Sequence, residues 1–494
     1  MSTPSKLRVA FVHPDLGIGG AERLVVDAAL GLQDLGHCVD IYTSHHDEKH
    51  CFDETRDGTL RVHHVVPPFP RPWKGKFHVL FAHARQLHLT KFLLRSRMDQ
   101  HDVFFVDQLS TCIPLLRRLG GKRVVFYCHF PDKLLANGAF VEGSVQKRNT
   151  GILKRIYRYP MDWLEEVTTR ILVYFFVSTS RAHEVRIGQA DIILANSRFT
   201  ARVTMAYFTS LKTPPKVVYP GINIQAYETS VDMMDPDIVQ VTSPRPTLLS
   251  LNRFEMKKNA ALAVEAFSRL RGRPTVPNDI RLVLAGGYDP RLEDNIRTLD
   301  NLVGLARTHN LTFKLIAPSK SSVSIPSFLD ANLHAEPDVL FLLNFTTGQR
   351  SALLQAPSTV ALLYTPANEH FGIGPVEGML CGVPVLACDS GGPTESIVDS
   401  PSSERTGWLL TPDPGVWAGT LVDICQLSEV ERAALRRRCK DRARAKFGME
   451  AMAKALEESL REAIHMGSIH APVKEIGFIL AFVLGLMAAI LCRV

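Results

Sequence analysis

The chain predicts an α/β fold in two domains, each built on a parallel sheet, with a membrane segment after them. Three observations carry this. At 494 residues the chain is too long for one ordinary domain. Short apolar runs recur, each followed by a glycine-rich or charged loop and then a helical pattern. That is the signature of βαβ units, which pair their strands in parallel. Finally, Ile476 to Cys492 is a run of seventeen residues without a charge, set between Lys474-Glu475 and Arg493. Its length is at the lower limit for a bilayer span.

Composition agrees. Hydrophobic residues make up 46% and charged residues 22%, the balance of a globular protein with ample core. A net charge of +7 suits contact with phosphates or an anionic membrane surface, and solubility accounts for it equally. Nothing in the charge pattern calls for a nucleic acid. Nine cysteines without a CxxC pair predict free thiols in a reducing compartment and no metal site. Met1 to Lys6 is short and polar, which predicts no secretory leader.

The first strand is Leu7 to Val12. His13-Pro14-Asp15-Leu16 and a glycine loop, Gly17 to Gly20, lead from it into a helix from Ala21 to Leu35. Gly36 is its C-cap, and Cys38 to Thr43 is the next strand. The loop lacks the full GxGxxG fingerprint, so it is a weak dinucleotide signal. A proline-rich loop at 67–76 precedes a helix from Phe77 to Arg95, either packed on the sheet or lying on a membrane. Strands follow at Asp102 to Asp107 and Arg123 to Cys128. The second delivers His129 just past its carboxyl end, where α/β proteins place ligands.

Residues 145–166 interleave Lys147, Arg148, Lys154, Arg155 and Arg158 with Ile152, Leu153, Ile156, Tyr157, Tyr159 and Trp163. They predict a basic amphipathic helix, a pattern shared by membrane-surface and solvated helices. Ile171 to Val177 is too short to span a bilayer. Asp191 to Asn196 is a strand, Arg198 to Phe208 a helix and Lys216 to Tyr219 a short strand. The first domain is expected to cover 1–222, the second 223–465, and the membrane segment 474–494.

The second series has strands at Thr247 to Leu251, Arg281 to Ala285, Asp338 to Leu343, Val360 to Tyr364 and Val383 to Cys388. Gly391-Gly392-Pro393-Thr394-Glu395 opens a helix, and helices from Glu429 to Lys446 and Gly448 to His465 close the series. Two loops stand out. After the first of these strands, Asn252-Arg253-Phe254-Glu255-Met256-Lys257-Lys258-Asn259 sets a guanidinium and an ammonium five residues apart. After the strand Val360 to Tyr364 comes Asn368-Glu369-His370-Phe371-Gly372-Ile373-Gly374-Pro375-Val376-Glu377-Gly378-Met379. Here Gly374 is the expected helix cap and Pro375 the first helical residue, where a missing N–H costs nothing. The free N–H groups of that first turn make an anion site. Glu369 then lies on the loop and Glu377 in the first turn. The arrangement suits a ligand joining a diphosphate to hydroxyl-rich sugars. An ordinary αβ turn with two solvated glutamates fits the spacing as well.

These two loops and Gly17-Ile18-Gly19-Gly20-Ala21-Glu22-Arg23 together resemble the retaining nucleotide-sugar glycosyltransferases of family 4. Tyr127-Cys128-His129-Phe130-Pro131-Asp132 and Pro160-Met161-Asp162-Trp163-Leu164-Glu165-Glu166 are similar to the branch that adds mannose to a dolichol-linked oligosaccharide. The resemblance covers roughly residues 6–465. It implies two Rossmann-like domains facing a central cleft, the GT-B arrangement, with GDP-mannose as donor substrate and no other cofactor. It implies a dolichol-diphosphate oligosaccharide acceptor, and as partners the lipid bilayer and other mannosyltransferases of the pathway. The place would be the endoplasmic reticulum membrane, with the catalytic domains on its cytosolic side.

By the same resemblance, Gly17, Gly19 and Gly20 line the donor diphosphate and the acceptor, and Phe371, Gly372, Ile373 and Gly374 line the donor. Glu377 accepts from the nucleotide ribose. Glu369 stands near the transferred sugar, and His129 orients the sugar or the acceptor hydroxyl. With no Asp-x-Asp motif read in the chain, Arg253 and Lys258 carry the charge of the departing diphosphate; Lys257 reads as a surface lysine. Residues 170–189 look like an addition to the family pattern. Alternatives are a sugar transferase with another lipid acceptor and a non-catalytic membrane scaffold.

Overall fold

The computed structural model describes residues 6–71, 78–130, 138–141, 144–147, 190–208, 211, 213–321, 323–326, 328, 336–467 and 469. They form two compact units. The first comprises the described residues up to Asn196, Thr200–Gly221 and those from Met452 onward, and the second comprises Ser197–Phe199 and Ile222–Ala451.

In the first unit the strands are β1 (Arg8–His13), β2 (Cys38–Thr43), β3 (Arg61–His64), β4 (Val103–Asp107), β5 (Arg123–Cys128), β8 (Ile192–Ala195) and β9 (Lys216–Val217). They make one sheet in the order β3-β2-β1-β4-β5-β8-β9, and every pairing is parallel. The helices are α1 (Gly20–Asp34), α2 (His78–Ser96), α3 (Ile113–Arg118) and α4 (Arg198–Tyr207). Alternate side chains of β1 go to opposite faces. Val9 and Phe11 join Leu24, Val25 and Ala28 of α1, with Met452, Leu456 and Leu460 from the end of the chain. Ala10 and Val12 join Leu89 and Leu93 of α2, with Ile113 and Leu116 of α3. A strand covered on both faces must be apolar at every position, which is why these strands read as unbroken runs. Each large side chain buried this way contributes roughly 1.5–3 kcal/mol.

The second unit repeats the plan. Its strands are β10 (Thr247–Leu251), β11 (Arg281–Gly286), β12 (Phe313–Ile316), β13 (Val339–Leu343), β14 (Thr359–Tyr364), β15 (Val385–Cys388) and β16 (Gly407–Leu410). The order is β12-β13-β11-β10-β14-β15-β16, again parallel throughout. Its helices are α5 (Ala261–Leu270), α6 (Glu293–Thr308), α7 (Thr347–Gln355), α8 (Ile373–Leu380), α9 (Pro414–Gln426) and α10 (Glu429–Phe447). The last helix of the chain is α11 (Met449–His465).

Each sheet winds outward in both directions from one adjacent pair of strands, β1 with β4 and β10 with β14. Ligands of open α/β sheets bind beyond the carboxyl ends of the strands at such a reversal. The segments leaving those four ends carry the chemistry described below.

Several expectations need correction. β3, β12 and β16 had no sequence signal. All three are sheet edges, where strands are short and half-covered, so Arg-Val-His-His and Phe-Lys-Leu-Ile carry no long apolar run. Helix α8 starts at Ile373, because Gly372 at φ +83° ends the loop and caps the helix in place of Gly374. Pro375 therefore occupies the third helical position, still inside the first turn whose N–H groups lack partners. Glu377 falls in the second turn.

Residues 144–147 form strand β7, paired antiparallel with Gly138–Val141 (β6), so the helix expected from 145 does not begin there. The remainder of that stretch, the 170–189 addition and the 474–494 membrane segment lie outside the described residues. Among the described residues, no helix is long and apolar enough to cross a membrane.

Candidate active site

In the second unit, the segment leaving β10 turns sharply across Gly286, where a Cβ would stand 1.7 Å from the carbonyl oxygen of Asn252. Only glycine permits that crossing. Phe254 is buried and meets Tyr288 edge-on, anchoring the segment. A one-turn 3-10 helix, Met256–Lys258, ends at Asn259 in the left-handed conformation. The turn separates the two lysines. Lys257 has 73% of its side chain exposed, whereas Lys258 has 18% and lies inward.

Lys258 Nζ donates to Glu369 Oε2, and Tyr364 OH reaches the same oxygen at 3.3 Å. The Lys258 carbonyl accepts from Thr365 Oγ1 at 2.7 Å, which fixes the lysine backbone against the end of β14. Burial works to raise the Glu369 pKa, but the Lys258 ammonium outweighs it and holds the carboxyl below its usual value. Glu369 is therefore an anion near neutral pH. Burial, with Glu369 alongside, keeps the Tyr364 hydroxyl protonated and donating.

The loop bearing Glu369 lies directly on Gly391 and Gly392. A Cβ on Gly391 would come within 2.4 Å of the Glu369 carbonyl oxygen, and one on Gly392 within 2.2 Å of that of Phe371. Gly392 N–H donates to the Glu369 carbonyl at 2.8 Å. A Cβ on Gly374 would come within 3.2 Å of the Tyr364 ring. Glycines at both levels thus press the loop between its neighbours.

One turn into α8, Glu377 Oε1 accepts from Arg350 Nη1 at 3.0 Å and from Tyr227 OH. The Arg350 guanidinium lies over the Tyr227 ring, 4.6 Å from its centre. Both contacts hold the carboxylate through one oxygen.

In the first unit, His13 ends β1, Asp107 ends β4 and His129 follows β5. Parallel register sets these three ends side by side. His13 Nδ1 lies 2.8 Å from Asp107 Oδ2, and His129 Nε2 lies 2.6 Å from Asp107 Oδ1. Asn196 Nδ2 donates to the His129 carbonyl at 3.0 Å. One buried carboxylate therefore bridges two imidazoles. Glu22, in the first turn of α1 beyond the glycine loop, stands 3.8 Å from His13 Nε2.

Burial opposes charge on His13, but Asp107 and Glu22 overcome it and raise its pKa to about 9. Asp107 is buried as well, and the two imidazoles hold it well below the usual carboxylate range. Linkage then fixes the sign. The His13 contribution to stability is full below about pH 6.5 and is lost as pH rises through about 9. The Asp107 contribution is lost only in acid. The thermal stability of the wild type is therefore expected to decline steadily between about pH 7 and 9 and to level off above that. His13→Asn should remove that decline, and a variant that keeps it unchanged would exclude His13 as its source.

The structure thus groups Arg253, Lys258, Glu369, Gly372, Ile373, Gly374 and Glu377 on the exits of β10 and β14. Gly17, Gly19, Gly20 and His129 lie on the exits of β1 and β5. Within the first set, Arg253 is two-thirds exposed and 3.6 Å from Glu255, while Lys258 is engaged with Glu369. Ile373 is exposed, but the Phe371 ring is buried beside Phe447, so Phe371 can offer a ligand only its backbone.

Sequence reasoning missed Asp107, His13, Glu22, Tyr364, Arg350 and Tyr227. The available signal was a charged or polar residue closing an apolar strand, as in Val-Phe-Phe-Val-Asp. It also overlooked one Asp-x-Asp spacing, Asp235-Pro236-Asp237. Asp235 caps a single helical turn by accepting from Asp237 N–H at 2.8 Å, and Asp237 accepts from Ser319 Oγ at 2.9 Å. Both carboxylates are engaged, Asp235 in a helix cap and Asp237 in a tie to Ser319.

Comparison with known proteins is consistent with this geometry. Residues 18–226 match the model of Glycosyltransferase Family 4, and residues 235–446 match that of Glycosyl transferases group 1. The chain is 42% identical over 465 residues to the alpha-1,3/1,6-mannosyltransferase ALG2 of Rhizomucor pusillus, covering 93% of this chain and 92% of that one. It is 40% identical to the protein of the same name from Kluyveromyces lactis, covering 92% and 85%. Among solved structures, sucrose-phosphate synthase from Thermosynechococcus elongatus superposes with a TM-score of 0.63 at 16% identity, covering 94% of this chain and all of that one. At that identity the likeness speaks for the fold alone.

Proposed function

The chain belongs to the α-1,3/1,6-mannosyltransferases of glycosyltransferase family 4, and on that premise we propose that it moves mannose from GDP-mannose to a diphosphodolichol-linked acceptor. The acceptor begins as one mannose on chitobiose, and the α-1,3 addition precedes the α-1,6 addition, during assembly of the N-glycan precursor. The enzyme works at the endoplasmic reticulum membrane with both units on the cytosolic side, and residues 474–494 anchor it.

The observation that carries the reading is the ion pair of Lys258 with Glu369 at the sheet reversal of the second unit. A departing GDP leaves with its diphosphate charge stabilised by Arg253 and Lys258, aided by the free N–H groups at the start of α8. The Glu369 carboxylate stands by the mannose, where a negative charge stabilises an oxocarbenium-like transition state. Glu377, held on one oxygen by Arg350 and Tyr227, accepts from a ribose hydroxyl. His129, fixed by Asp107, orients the acceptor hydroxyl.

The test uses the full chain in detergent, a diphosphate-lipid trisaccharide acceptor and a panel of sugar nucleotides. Two successive mannose additions are expected from GDP-mannose alone, and both should be lost in Arg253→Ala and Glu369→Ala. Transfer from a different sugar nucleotide, or to a different lipid acceptor in preference, would overturn the assignment.

A further inference from the structure

Five cationic or protonatable side chains converge at the carboxyl edge of the first sheet, away from the Asp107 cluster. His45 and His46 follow β2, His64 ends β3, Arg71 lies on the segment beyond it, and Arg85 stands on the second turn of α2. The backbone ties the exits of β1 and β2 together. Leu16 N–H donates to the His45 carbonyl at 2.9 Å, and Ser44 Oγ donates to the Pro14 carbonyl at 2.8 Å. The imidazoles of His45 and His46 each meet His64 edge-on, at 6.5 and 6.4 Å between ring centres. Arg71 Nη1 lies 3.2 Å from His45 Nε2, and its Nη2 donates to Asp15.

Arg85 is the unusual member. Its residue is 7% exposed, and its Nε is buried with no hydrogen-bond partner. The nearest charges bearing on it are the like charge of Arg71 and the carboxylate of Asp15, which Arg71 already engages. A buried guanidinium without its own counter-charge is unfavourable, and a protein retains one where an anion completes it. His45, half-buried among the same groups, is held below its ordinary pKa by burial, with Arg71 and Arg85 adding to the effect. An arriving anion would reverse that balance and let the imidazoles donate.

We propose that Arg85, Arg71, His45, His46 and His64 form a diphosphate-binding site, and that its ligand is the diphosphate joining lipid to sugar in the acceptor. Two guanidiniums can each grip phosphate oxygens in bidentate fashion, and imidazoles complete the shell. The nucleotide diphosphate is assigned to Arg253 and Lys258 of the other unit, so the acceptor is the remaining diphosphate in the reaction. This inference rests on the proposed function for the identity of the acceptor, but the site itself does not depend on it.

The experiment measures binding of farnesyl diphosphate to the full chain in detergent, with GDP present at saturation, alongside the affinity for GDP. Arg85→Gln is expected to weaken farnesyl diphosphate at least tenfold and leave GDP within twofold. In transfer assays it should raise KM for the diphosphate-lipid acceptor with KM for the donor unchanged. Arg71→Gln, at an exposed position, should act in the same direction if Arg85→Gln fails to fold. Loss of GDP affinity in place of farnesyl diphosphate affinity would give the site to the donor and overturn the proposal. Unchanged binding of both ligands in the folded variants would also overturn it. Arg85-dependent binding of farnesyl diphosphate by a protein that transfers no mannose would defeat the proposed function and leave the site standing.

Discussion

Lys258→Ala is expected to lower mannose transfer roughly 10²–10³-fold, about 3–4 kcal/mol of barrier, the cost of removing one well-placed charge donor. Two losses combine. The departing diphosphate loses a cation, and Glu369, only 20% exposed in its side chain, loses the ammonium that keeps it ionised. With only the weaker influence of His370 left to oppose burial, its pKa rises, so the acid limb of the pH–rate profile should move to higher pH. Glu369→Gln should cost a similar factor, and the double variant should lose far less than the product of the two, because the pair acts as a unit. Lys257→Ala, altering an exposed neighbour, should stay within about twofold of wild type. Steady-state transfer of labelled mannose measures all four. Full activity in Lys258→Ala would separate the ion pair from the chemistry.

The second large effect is expected at Asp107. Asp107→Asn keeps the shape of the side chain but removes the charge that two imidazoles share. Breaking a buried ion pair from one side costs about 3–5 kcal/mol, because the partner is left charged and unpaired or must lose its proton. The thermal midpoint should drop by several degrees, and transfer should fall at least tenfold because His129 loses its fixed orientation. His129→Gln separates the two effects. At 21% side-chain exposure it should reduce transfer with a much smaller stability loss. Equal midpoints for Asp107→Asn and wild type would show that the charge at this position is dispensable.

The parts of this site that were legible in the sequence are local. Arg253, Lys258 and Glu369 lie on loops that directly follow apolar strands, and the residues of each loop are contiguous. What was not legible depends on register. His13 and Asp107 are 94 residues apart and meet only because β1 lies beside β4. Nothing in either segment names the other. The same holds for Tyr227, 150 residues from Glu377. The start of α8 was misplaced for a different reason. Proline is favoured at a first helical position, but here the left-handed glycine before it set the boundary, and proline was tolerated two residues further in. Lys258 was read as a phosphate ligand, and in the structure it holds the other candidate, Glu369. Two isolated motifs could not show that.

The contribution of α11 to the first unit has a consequence for biosynthesis. Met452, Leu456, Leu460 and Ala463 help to cover the face of the first sheet that holds Val9 and Phe11. When residue 221 leaves the ribosome, that face lacks its final cover, and residues 222–451 must be translated before the helix exists. At 5–20 residues per second the delay is roughly 10–50 s. The second unit, contiguous except for Ser197–Phe199, is made during that interval. The half of the protein made first is therefore finished last, and nascent chains halted before residue 452 should recruit chaperones to an unfinished apolar surface.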